Sequence, residues 1–250
     1  MMTELAAFVP TLVSVGLLVA VTVSVLWGFR AQHIRAPGLA ILRGAAQLAL
    51  ISVILSGVIT SPAFVALALL IMFTVAAVTA TRRVVWSWKS FALVSSSMAA
   101  SIAVTLAIIF VTGAIPFTPR YALAMGGIII GNAMTIATLA GRRFTESVID
   151  RWDEIEGWLA LGASPRQSTR DLARGAVYSA LIPSTDQTKT TGLVTLPGAF
   201  VGAIFGGISP LEAGRFQILV LASIMAAGSI TAVMIIAVLA PVRVRPAPLH

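Results

Sequence analysis

The 250 residues contain no cysteine, so a disulfide framework, a thiolate metal site and a cysteine nucleophile are all excluded. Histidine is almost as scarce, with only His33 and His250. That removes the paired ligand spacings of zinc hydrolases and deaminases. His33 reads as an interfacial loop residue. No segment carries the GxxxxGK[ST] pattern, so the backbone nest and lysine that hold nucleotide phosphates are lacking. The sequence predicts that this chain does not hydrolyse ATP itself. Ser14 and Ser95-Ser96-Ser97 have no base or oxyanion arrangement nearby. In apolar helices such hydroxyls bond backbone carbonyls or pack between helices.

Charge is also sparse. Only 10% of residues are charged, against about 25% in an ordinary soluble domain. What fills the space is apolar, 58% of the chain, with a mean hydropathy of +0.98. These residues fall into runs at 6–29, 39–60, 63–81, 91–112, 122–140, 191–208 and 216–239. A bilayer core needs roughly 20 apolar residues per crossing helix. The short alternating segments of a β-barrel are missing. The expectation is an all-α integral membrane protein of about seven transmembrane helices, forming one permease-like domain over 1–250. The first run ends in Trp27-Gly28-Phe29-Arg30 without a small-residue cleavage site and reads as a mature helix.

The net charge of +8 would suit a nucleic-acid binder, but its placement follows topology. With the N-terminus outside and seven crossings, the inner loops receive Arg30, Arg35, Arg82, Arg83, Lys89, Arg142, Arg143, Arg151, Arg166, Arg170, Arg174, Arg243 and Arg245. The outer side keeps Arg120, with Arg215 near the last outer loop. This is the positive-inside pattern, and it predicts a cytoplasmic C-terminus in a cell membrane. Arginines near a leaflet attract anionic lipid, and no nucleic-acid partner is expected.

The polar stretch 141–190 holds Glu146, Asp150, Asp153, Glu154, Glu156, Asp171 and Asp186, leaving only Glu4 and Glu212 elsewhere. Phe144, Val148, Trp152, Ile155 and Leu159 recur at helical spacing. Gly162 is placed to end that helix. Ser164, Pro165 and Gln167 are placed to cap and start a second one bearing Arg166, Arg170 and Arg174, which ends at Leu181-Ile182-Pro183. The pattern predicts a cytoplasmic helical hairpin between the fifth and sixth transmembrane helices. Periodicity alone fits two roles, an amphipathic hairpin resting on lipid or an element on which a soluble motor pushes.

Polar residues inside spans mark a candidate substrate path. Arg43, about one turn into the second run, reads as snorkelling to the cytoplasmic surface or structurally paired, or, with Gln47 on the same face, as a substrate contact. Asn132 in Gly131-Asn132-Ala133-Met134 needs a hydrogen-bond partner in mid-span, expected to be interhelical. Pro197 with Gly198, Gly202, Gly206 and Gly207 makes the sixth run small-faced and kinkable, a close-packing surface or a gate. No carboxylate is expected deep in a span, which argues against proton or sodium coupling.

Three linked stretches carry a resemblance: GNAMTIATLAGRR at 131–143, EIEGWLALGASPRQ at 154–167 and ALIPSTDQTKTTGLVTLPGAFVGAIFGGISPLEAGRFQ at 180–217. They resemble the FetB-type ABC transporter permeases, a family that includes bacterial iron exporter and plant aluminium-tolerance permeases. Glu156 to Gly162-Ala163 also looks like the EAA loop of other ABC permeases, although Gly157-Trp158 stand where alanines are usual. The resemblance implies two copies of the permease and a separate cytoplasmic ABC ATPase that carries the ATP and Mg, with no cofactor on this chain. It implies coupling residues at Glu154, Glu156, Gly162, Ala163, Ser164, Pro165 and Arg166. It also implies an exported cargo, iron or another metal ion. Such an ion would have to use Asn132, Met134, Asp186, Glu212, carbonyls or water, and no metal site can be assembled from spacing. The competing expectation is a secondary transporter or channel for a small solute.

Overall fold

The computed structural model of the chain describes residues 2–58 and 61–247, with side chains described for 9–52 and 61–247. The end of the second apolar run at 59–60, and His250, lie outside the described residues. The chain divides into two compact units, Met1–Ile59 and Thr60–His250. In the first, α1 (Met2–Gly28) and α2 (Ala36–Val58) pack on each other. A Cβ at Gly38 would lie 3.3 Å from a Val19 methyl. The turn between them holds Arg30 and His33 at positive φ.

The second unit contains α3 (Pro62–Val84), α4 (Trp88–Val111), α5 (Pro119–Asp150), α6 (Trp152–Ala160), α7 (Pro165–Ser168), α8 (Arg170–Thr190), α9 (Gly198–Phe205) and α10 (Pro210–Leu239). Four of these start in one way. Ser61, Thr118, Ser164 and Ser209 are extended, and each is followed by proline at the head of the helix. Proline there gives up no hydrogen bond and is already at helical φ. Thr118 and Ser209 add a hydroxyl that accepts from the amide three residues on, Tyr121 and Glu212.

Five helices among the described residues are long and apolar enough to cross a membrane: Val9–Gly28 within α1, then α3, α4, α5 and α10. In the second unit α5 and α10 form the centre, with α3, α4 and α8 packed around them. Met98, Met125, Ile129, Ala133 and Ile235 lie at the core. Small residues set the closest approaches, as expected where helices associate by packing rather than by water exclusion. A Cβ at Gly141 would meet Val84 Cγ2 at 2.8 Å, one at Gly126 would meet Leu69 Cδ2 at 2.7 Å, and one at Gly228 would overlap Ile136 Cδ1. Thr231 of α10 donates to Ser101 of α4 at 2.8 Å, a buried polar tie between helices. Ser95 and Ser96 bond carbonyls of their own helix, as expected, whereas Ser97 is fully buried with no partner among the described residues.

Three expectations are corrected. The second helix of the hairpin does not end at Leu181-Ile182-Pro183 but runs on through Pro183 to Thr190. The apolar stripe from Phe144 does not begin a separate hairpin helix. It continues the fifth span, because nothing between 119 and 150 breaks the helix and Phe144, Thr145 and Val148 are buried as part of α5. The sixth run is not one spanning helix. It holds α9, whose eight residues rise only about 12 Å, between left-handed Gly192 and Gly207. The helix that enters the packed layer is the polar α8, which lies against both α5 and α10.

Candidate functional site

At one end of the second unit the chain turns sharply. Arg151 leaves helical geometry (φ −113°, ψ 30°) and separates α5 from α6. At the other end of α6 the Gly162 amide donates to the Leu159 carbonyl at 3.0 Å and the Ala163 amide to the Trp158 carbonyl at 3.0 Å. With Gly162 at φ 87°, this is a Schellman stop, for which a residue without Cβ is favoured. Ser164 then restarts the chain. The Gln167 carboxamide oxygen accepts from the Ser164 amide and hydroxyl, both at 2.8 Å, and Pro165 heads the short α7.

The elbow is tied to the bundle rather than free. Ile155 is buried with Phe144, Val148, Leu172 and Ala176. The Thr169 hydroxyl donates to the Ala240 carbonyl at 2.5 Å and so serves an acceptor at the end of α10. Arg166 reaches the Ala237 carbonyl at 3.5 Å. The outward side is a groove of 570 Å³ lined by Arg151, Glu154, Trp158, Leu161, Gly162, Arg170 and Asp171. Trp158 and Leu161 are 51% and 82% exposed, and an Arg151–Glu154 pair (Nε to Oε2 2.8 Å) borders them. Glu156 is exposed and forms no ion pair among the described residues. The elbow thus offers an apolar knob in a charged rim, joined through Thr169 and Ile155 to α10 and α5. Thr169 was not anticipated. Nothing in its local sequence signals a bond to a residue 71 positions away.

The candidate path residues are dispersed. Asn132 donates to the Ile128 carbonyl of its own helix at 2.9 Å, so the expected interhelical bond is replaced by a local one. Met134 packs partly buried against the core. Pro197 caps α9. Glu212 lies in the first turn of α10, in a shallow pocket with Tyr121, Arg215 and Phe216 at the opposite end from the elbow. Arg43 and Gln47 are exposed on α2 in the first unit.

Asp186 is where the structure departs most from the sequence. Leu181 of α8 and Ile136 of α5 both flank Gly228, which stands at the middle of the last apolar run. The Thr185 hydroxyl lies 4.0 Å from Met225 Sδ. Met225 is three residues from Gly228, about 4.5 Å along the helix axis. Asp186 therefore lies one residue beyond the point where α8 meets Met225, near the level of the middle of α10. The polar composition of α8 gives no hint of this placement. By the same register Asn132, four residues from Ile136, comes to the depth of Thr185, four residues from Leu181. Asp186 and Lys189 are exposed, 3.9 Å apart, on the face of α8 turned away from α5 and α10. Among the described residues no three His, Asp or Glu side chains converge as a metal site.

A family model described as uncharacterised protein family UPF0014 matches residues 9–242. The chain belongs to the UPF0014 family. Among its UPF0014 relatives, the rice protein (Oryza sativa subsp. japonica) named UPF0014 membrane protein STAR2 is 38% identical over 197 residues, covering 78% of this chain and 69% of that one. The Bacillus subtilis UPF0014 membrane protein YjkA is 35% identical over 199 residues, 79% and 80% of the two chains. The Escherichia coli protein named "probable iron export permease protein FetB" is 37% identical over 145 residues, 57% and 56%. UPF0014 membership and the apolar spans agree with a multi-pass membrane protein of the permease type. No solved structure matches the chain.

Proposed function

We propose that this chain is the membrane-spanning permease subunit of an ATP-driven exporter, worked by a separate ABC ATPase and acting as two copies. The observation that carries the reading is the elbow at 151–169. A motor outside the membrane can move spans only through an element that is exposed on one side and fixed to the spans on the other. Trp158 and Leu161 supply the first property, and Thr169, Ile155 and Arg166 the second. The coupling residues are Glu154, Glu156, Gly162, Ala163, Ser164, Pro165 and Arg166, with ATP and Mg held by the partner. The topology has seven crossings, the sixth being the broken pair α8–α9, with the N-terminus outside and the elbow and C-terminus cytoplasmic. The name of the Escherichia coli relative supports iron or another metal ion as cargo.

Co-purification with the ATPase and substrate-stimulated hydrolysis test this reading together. Gly162→Trp should abolish both stimulation and transport while insertion into the membrane is unchanged. Normal docking and transport by that variant would make the elbow a lipid-surface element. Asp186 at membrane depth favours a second reading, a secondary transporter coupled to protons or sodium, since an intramembrane carboxylate is a recurrent part of such carriers. Ion-driven uptake by the chain alone in liposomes, with no ATPase present, would decide for it.

A further inference from the structure

The α8 face that α5 and α10 leave uncovered reads Gly175, Tyr178, Ile182, Asp186, Lys189. Tyr178 is 72% and Ile182 39% exposed, and the Asp186 and Lys189 side chains are 64% and 71% exposed. Leu181, next to Ile182, lies beside the middle of α10, with Asp186 about 7.5 Å and Lys189 about 12 Å further along α8, inside the roughly 15 Å half-thickness that a span centred there would give. Charged side chains at that depth face protein or enclosed water. The strip carries its own counter-charge, one acid and one base a turn apart.

We infer that a second copy of this chain packs on this face, with each Asp186 carboxylate reaching the Lys189 ammonium of the other copy. The inference rests on the two-copy permease reading and adds the surface, the residues and the register. Copies inserted in the same sense are related by a two-fold axis along the membrane normal, and their shared interface is isologous. Residue 186 then meets residue 186 at one depth, and residue 189 meets 189 about 4.5 Å further out. Within one copy Lys189 lies 3.9 Å from its own Asp186, beyond hydrogen-bond distance, so each carboxylate keeps room for a second partner. The lysine of the opposite copy lies one turn away, within the span of its four-carbon stem. Towards the elbow the same face is Ile182, Tyr178 and Gly175, an apolar and small seam suited to close helix contact. The strip is thus a tight seam in one half of the membrane and a neutralised charged layer beside it.

The absence of cysteine makes the test direct. Ile182→Cys in the full chain, expressed with its ATPase and treated in native membranes with a bismaleimide, should give a covalent dimer. Leu70→Cys, on the exposed side of α3, should not. In the Ile182→Cys background, Asp186→Lys and Lys189→Asp should each lower cross-linking several-fold, and the two together should restore it. If a dimer persists by size but Ile182→Cys does not cross-link, the copies meet elsewhere and this inference is overturned while the two-copy reading stands. If Ile182→Cys cross-links and the double exchange does not restore it, the ion pairing is overturned. A chain that transports fully as a monomer overturns both readings.

Discussion

Gly228 shows how little slack the bundle leaves. A methyl there would overlap Ile136 Cδ1 and come within 3.4 Å of Leu181 Cδ2, so three helices meet over one missing side chain. Gly228→Ala should destabilise the detergent-solubilised protein by about 1–3 kcal/mol. Ile136→Val removes the methyl in the way, and the double variant should recover most of the loss in a thermal melt. Additive losses would mean that the two residues do not share the site. Such pairs were not legible in the sequence, where the glycine stands in an apolar run like any other. Gly162 was legible, because its position after an amphipathic stripe and before Ser164-Pro165 is a local signal, and its φ of 87° follows from that signal. Gly162→Ala should therefore cost the elbow about 1–2 kcal/mol in backbone strain. Asn132 was misjudged for a related reason. Its carboxamide reaches a carbonyl one turn back, and no pattern announces whether a polar group will find its partner locally or across a helix pair.

The elements divide along the same line. The starts of α3, α5, α7 and α10 were readable because Ser/Thr-Pro acts within three residues. The first helix of the hairpin was misplaced because the polar residues from Arg142 onward look like the end of a span, whereas Phe144 and Val148 continue the buried face of α5 past the point where hydropathy falls. The role of α8 was hidden more completely. Its sequence is the least apolar of the long helices, yet its Leu172, Ala176, Ala180 and Ser184 stripe is buried against two spans. Composition reports solvent, and packing of a half-polar helix depends on neighbours that only the fold supplies. The bond from Thr169 to the Ala240 carbonyl is the point where this element gains leverage on α10. Thr169→Val keeps the shape and removes the donor; the Ala240 carbonyl keeps the Val242 amide, so the cost is that of one hydrogen bond, about 0.5–1.5 kcal/mol. The expected outcome is normal ATPase co-purification with weakened substrate stimulation, because docking is outside and transmission is inside. Glu156→Gln, on an exposed side chain without an ion pair, should change neither by more than about 1 kcal/mol. A Thr169→Val variant that couples normally would remove the threonine from the transmission path.

For the whole molecule, topology turns on which way the broken pair α8–α9 runs. A hairpin lying wholly at 141–190 on the cytoplasmic surface would bring residue 193 back to the side from which it left. The packing argues otherwise, since α8 begins beside Ala240 at the arginine-rich end, passes Gly228 at Leu181 and reaches Met225 at Thr185. A helix on that course has passed the middle of α10 before Asp186. The aromatic cluster Trp86, Trp88 and Phe91, with Arg82 5.4 Å from the Trp86 ring centre, is of the kind enriched at membrane surfaces. Three single cysteines in the cysteine-free chain therefore separate the two topologies. Leu161→Cys, at the elbow, should be inaccessible to a membrane-impermeant maleimide added outside intact cells. Phe117→Cys, in the turn before α5, should react, as should Leu193→Cys, whose parent side chain is 95% exposed beyond the end of α8. Leu193→Cys protected together with Leu161→Cys would return α8 to the cytoplasmic surface and remove Asp186 from the membrane. Leu161→Cys reacting while Phe117→Cys is protected would invert the whole chain and set the elbow on the side where no ATPase can reach it.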